Sequence, residues 1–178
     1  MTENVFYTLA ETNNLHGLIT FGDAPYHLEL IDHIFDIIIL ARDYQPDIPL
    51  NRAYLERLVS KASQVDVIYD AVTFQHHSLY SEIIKCGSNG SLQKIKAPVP
   101  IQHVADHLRL NPDLQEMHIY VETPADITHI QSILTDSPDR PITYHIHYHQ
   151  STDTEYWLNL QGLGDVVFEN IIHTLMPI

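Results

Sequence analysis

The residues with the clearest chemical potential are three alternating histidines, His145, His147 and His149, in the run TYHIHYHQ. On a strand, alternation brings all three to one face at intervals of about 7 Å, with Tyr144, Ile146 and Tyr148 opposite. A His-x-His pair on a strand can present two imidazoles to one zinc ion, and a third ligand from elsewhere leaves an open catalytic position. His118, in MHIYVE, is the candidate for that third ligand, because its strand is expected to lie beside the first. The metal set read from the sequence is therefore His145, His147 and His118, with zinc as the ion and metal-dependent hydrolysis as the chemistry. The plainer reading is a solvent-facing polar face backed by Ile146 and the tyrosines.

Other constellations are weaker. His76-His77-Ser78 and His149-Gln150-Ser151 both contain His-x-Ser, a pairing used by two-histidine phosphoesterases. The first falls in an expected helix and the second ends a strand, and a chain with 13 histidines produces such matches by chance. Cys86 next to a histidine could act as a nucleophile, but a lone cysteine at a helix end is more often a small buried hydrophobe. Gly87 to Gly90 lacks the Lys-Ser/Thr of a phosphate loop, and Gly162-x-Gly164 lacks the third glycine of a dinucleotide fold, so both read as turns. Asp32, Asp36, Asp43 and Asp47 read as the polar edge of a helix, since the second carboxylate pair of a di-metal bundle is missing.

Charge adds a second functional reading. The chain has 23 Asp and Glu against 9 Lys and Arg, for a net charge of −14. Such a field repels phosphate backbones and anionic lipid, so neither nucleic acid nor membrane insertion is expected. A basic protein surface or a metal cation would be attracted. Ten tyrosines supply the large, low-entropy contact area favoured at protein interfaces. The leading expectation is a non-enzymatic acidic protein-binding module that docks a basic partner, as an immunity-type inhibitor or a secretion chaperone or adaptor. The metal-dependent hydrolase is the alternative, and a pH-responsive histidine-rich scaffold a third. The single cysteine and the lack of a basic-then-apolar start point to a cytoplasmic protein.

The elements that must position these residues are read from periodicity. Asp23 to Tyr44 is the longest apolar-rich stretch. An acidic cap and Pro25 in the first turn predict a central helix over 24–43. The run FDIIILA within it could instead be a buried strand, because periodicity does not separate the two for a continuous apolar run. Residues 4–10 and 17–21 read as short strands. A helix from Asn51 to about Ser63 should bury Tyr54, Leu55, Leu58 and Val59. Another is expected from near Asp66 to Cys86, stopped by a left-handed Gly87. GSNGSLQKIKAPVP reads as an exposed connection. A short helix follows to Leu110, then a strand over 117–122.

Thr123 and Pro124 open a helix burying Ile127, Ile130 and Leu134, and a parallel strand follows over 141–149. EYWLNLQ is expected to pair antiparallel with that strand. Asp165 should cap a last helix burying Val167, Ile171, Ile172 and Leu175. The fold class so predicted is mixed α/β of the α+β kind. A helix-rich first part surrounds the central helix, and a C-terminal β-α-β-β-α unit carries a small mixed sheet. The whole of 1–178 is one domain, or a helical lobe 1–110 beside a sheet-based lobe 111–178.

Overall fold

The structure is a computed structural model that describes residues 17–20, 32–41, 52–69, 76–135, 142–148 and 173–177. Seven strands form one sheet: β1 (Gly17–Thr20), β2 (Ile34–Leu40), β3 (Ala62–Ile68), β4 (Lys94–Pro100), β5 (Glu116–Val121), β6 (Thr143–Tyr148) and β7 (His173–Pro177). Among the described residues four helices lie between them: α1 (Arg52–Val59), α2 (His77–Gly87), α3 (Ile101–Leu110) and α4 (Pro124–Thr135). Every strand pair is parallel, and the strands lie side by side in chain order from β1 to β7. The β-α alternation is Rossmann-like, but the order never reverses, so the sheet lacks the switch point of a doubly wound fold.

That order determines where the helices go. Parallel neighbours require crossovers, and crossovers are right-handed, so a sheet that always advances in one direction collects its helices on one face. Accordingly α1 packs beside α2, α2 beside α3 and α3 beside α4. The strand residues turned toward them are fully or nearly buried, among them Ile37, Val65, Ile95, Ile119 and Ile146. The helices contribute Leu55, Leu58, Ile83, Ile84, Val104 and Ile127 to the same core. The other face carries the alternate residues and no described helix.

Several sequence expectations are corrected here. The fold is not α+β with a mixed sheet, because every strand pair is parallel and strands alternate with helices in both halves of the chain. The helix over 24–43 is replaced, through its second half, by β2. Flanked by β1 and β3, that strand is apolar toward the helices (Ile37, Ile39) and half-buried on its other side (Ile38, Leu40). An interior parallel strand loses the alternation that would reveal it. Phe35, the second residue of β2, is 48% exposed.

The expected helix from Asp66 begins only at His77, because SQVDVI belongs to β3. The supposed connection KIKAPVP is β4, with Ile95, Ala97 and Val99 buried. Its prolines suggested a loop, since proline cannot donate to a ladder. β4 absorbs Pro98 in a register irregularity against β5 between Ile95 and Val99. The last helix is contradicted at Leu175, which lies in β7, parallel to β6.

α1 buries all four expected residues, and α3, β5, α4 and β6 stand close to their expected positions. Thr123 and Asp126 form a reciprocal cap at the start of α4. Gly87 does not end its helix in a left-handed conformation; among the described glycines only Gly90 has a positive φ, 81°. Gly87 instead permits close packing, since a Cβ there would stand 2.6 Å from the Glu56 carbonyl oxygen and 2.8 Å from Val59 Cβ. Residues 4–10, 24–31, EYWLNLQ and Asp165 to Ile172 lie outside the described residues.

Candidate functional site

Strand register lays a polar row across the face away from the described helices. Asp36 pairs with Gln64, Gln64 with Lys94, Lys94 with Glu116, and Glu116 with Thr143. One step further along, His118 of β5 pairs with His145 of β6, and Tyr120 with His147. Alternation therefore stacks Glu116, His118, His145 and His147 on one side of two adjacent strands.

Glu116 is the hub. Its Oε1 lies 3.7 Å from His118 Nε2 and 3.5 Å from His145 Nε2. Its Oε2 accepts from the Lys94 ammonium at 3.1 Å. The three side chains are 18%, 14% and 17% exposed, so the cluster is sheltered yet reachable from solvent. Burial alone would raise the Glu116 carboxyl, but the hydrogen bond from Lys94 and the nearby charges of Lys94, Lys96 and His145 hold it below the usual carboxylate range.

His147 stands behind His118, with its Nε2 2.8 Å from His118 Nδ1. A bond between two imidazoles needs one N–H and one lone pair, so it couples the two tautomers. The rings of His118 and His145 are 4.5 Å apart, and those of His118 and His147 5.0 Å apart. Burial first, then the neighbouring histidines, lowers His118 to about 4. Burial first, then His145, lowers His147 to about 4. Both rings are neutral at pH 7, the form that binds a metal. His145 Nδ1 is buried with no hydrogen-bond partner among the described residues.

These distances suit a cation. Ligand atoms of Glu116, His118 and His145 all lie within 4.8 Å of one another. Bonds of about 2.0–2.1 Å in a tetrahedral site put ligand atoms roughly 3.4 Å apart. The separations of 3.5 and 3.7 Å around Glu116 Oε1 are close to that edge. Two imidazoles and one carboxylate form a catalytic zinc donor set, with a fourth position left for water or substrate.

Of the residues expected from the sequence, the structure brings His118 and His145 together with Glu116, while His147 hydrogen-bonds His118. His149 lies outside the described residues, and with it the second His-x-Ser motif. Glu116 was missed. Its signal was its place two residues before His118, on the same alternating face and one residue ahead of the strand expected over 117–122.

The other candidates scatter. His77 opens α2 with its ring 4.6 Å from that of Tyr120. Cys86 is exposed, and Arg52 donates to its sulfur at 3.2 Å. Asp36 joins the polar row, Asp32 is exposed, and Asp43, Asp47, Gly162 and Gly164 lie outside the described residues.

The fold and site together define a class: a sequentially ordered parallel β-α protein with a histidine–glutamate cluster on the sheet face away from its described helices. No protein-family model matches the chain, and comparisons with curated proteins and with solved structures likewise find no match. No helix among the described residues is long and apolar enough to cross a membrane.

Proposed function

We propose that this protein is a metal-dependent hydrolase whose divalent cation, of the zinc class, is held by Glu116, His118 and His145. The observation that supports this is the approach of two imidazole Nε2 atoms to a single carboxylate oxygen at 3.7 and 3.5 Å on a sheltered sheet face. A cation in such a site supplies Lewis acidity and lowers the pKa of a bound water. The chain's own groups prepare the site. With its Nε2 as a ligand, His118 would carry its proton on Nδ1 and donate it to His147 Nε2, and that bond would hold the ligating tautomer. Lys94 restrains the second oxygen of Glu116 and so aims the first at the histidines.

Docking of a basic protein, the other reading of the sequence, is supported by the net charge of −14. That is a property of the whole chain, whereas the histidine–glutamate cluster is a specific arrangement, so the hydrolase is the reading adopted. The test is elemental analysis of purified, untagged protein, followed by zinc titration of the wild type and of His145→Phe. One equivalent of zinc, manganese or iron in the wild type, lost in the variant, is expected. Sub-stoichiometric metal together with no saturable zinc binding would sink the reading.

A further inference from the structure

The sheet face away from the described helices holds a second cation that makes no ion pair within the donor cluster. Lys94 is committed to Glu116 at 3.1 Å. Lys96 lies two residues further along β4, so alternation returns it to the same face, half-buried like Lys94, while Ile95 and Ala97 face the core. Among the described residues Lys96 forms no ion pair within 4.0 Å. Its charged neighbours are Asp66 on β3 and Glu116 on β5, and Asp36 on β2 acts in turn on Asp66. The carboxylates of Asp36, Asp66 and Glu116 outnumber the two lysines by one. A bound dication reverses that balance and leaves the face net positive.

We infer that Lys96 selects the substrate of this site by pairing with an oxyanion on it, a carboxylate or a phosphate, beside the bond that reacts over Glu116, His118 and His145. The inference rests on the reading of those three residues as metal donors. Lys96 stands one strand from His118 and two from His145, or about 5 and 10 Å across the sheet. A small molecule spans that interval. Among the described residues the Lys96 ammonium acts on Asp66 and Glu116 only through space, and a ligand oxyanion supplies it with a charge-assisted hydrogen bond. The acidity of the whole chain does not oppose this, because the local balance around the loaded site has the opposite sign.

The experiment measures, by calorimetry on zinc-loaded protein, the binding of inorganic phosphate, acetate and, as a neutral zinc ligand, imidazole. Lys96→Met is expected to weaken at least one of the two anions about tenfold, the loss of one charge-assisted bond at a partly exposed site. It should leave imidazole binding unchanged, and Lys96→Arg should restore the anion to within about twofold. The anion that responds identifies the substrate group as phosphate or carboxylate. Anion affinities equal in wild type and Lys96→Met overturn the assignment of Lys96 while leaving the metal site standing. An equal loss of anions and imidazole also overturns it, since that marks damage to the site. Failure of the wild type to bind zinc at all removes the metal site and this inference together.

Discussion

Zinc should raise the melting temperature of the wild-type protein, and Glu116→Gln should abolish most of that rise. A ligand that binds only the folded state at 100 times its Kd stabilises by about 2.7 kcal/mol. For a chain of 178 residues each kcal/mol moves the midpoint by roughly 2–4 °C, so the expected shift is about 5–10 °C. Glu116 is the one anionic donor, and both imidazole contacts converge on its Oε1. Removing one unit of charge about 2 Å from a dication costs on the order of 4 kcal/mol even at the dielectric constant of water.

Allowing for the amide oxygen that remains, a loss of about 3 kcal/mol weakens binding more than a hundredfold. At the same zinc concentration the variant then gains only about 0.3 kcal/mol, a shift of about 1 °C. The assay is thermal unfolding with and without zinc, with His129→Asn as the control for exposed histidines, because His129 lies on the outer side of α4. The control should shift as the wild type does. Equal shifts in wild type and Glu116→Gln, or no shift in either, would refute the reasoning.

Three further outcomes test the packing and capping of the helices. Gly87→Ala should destabilise by about 1–3 kcal/mol in urea unfolding, because the new methyl group meets the Glu56 carbonyl oxygen and Val59 of α1 at 2.6 and 2.8 Å. Thr123→Ala should cost about 1 kcal/mol, since the hydroxyl accepts from the Asp126 amide at 3.3 Å and donates to its carboxylate at 3.0 Å. His107, buried against Ser81 at 3.0 Å, is lowered to about 4 by burial first and then by the charges of His103 and Lys85. Its folded-state pKa lies below its unfolded one, so its contribution is intact above about 6.5 and is lost as pH falls toward 4, up to roughly 3 kcal/mol. His107→Gln should flatten that part of the stability–pH curve, and an unchanged slope would count against the assignment.

What could be read from the sequence depended on how many faces of an element are buried. β5, α4 and β6 lie close to their expected places because their patterns alternate or carry a cap: MHIYVE and TYHIHY place apolar residues toward the helices and polar ones away. β2 could not be read in this way. Buried neighbours flank it on both sides, so IFDIIIL is apolar in nearly every direction and fits a helix equally well. β4 was hidden by composition, since turn residues precede it and prolines end it. With β2 to β4 assigned elsewhere, the first half looked helical and the sheet looked small and mixed.

The same missing strands concealed part of the site. The His-x-His spacing was visible because it lies within one strand, and His118 because its strand was expected next door. Lys94 and Lys96 were placed in a loop, which removed the electrostatic setting of Glu116 from view. A strictly sequential parallel order is what unites these residues. It sends the described helices to one face and turns the alternate residues of β3 to β6 toward the other. Asp66, Lys96, Glu116, His118 and His145 come from four different strands, yet one rule of handedness makes them neighbours. On that face Glu116, His118 and His145 find polar partners in one another, in Lys94 and in His147, which offsets the cost of their partial burial and lets polar side chains be retained for chemistry. A functional cluster is thus more readily supported there than on the buried face, where Ile95, Met117 and Tyr144 occupy the intervening positions.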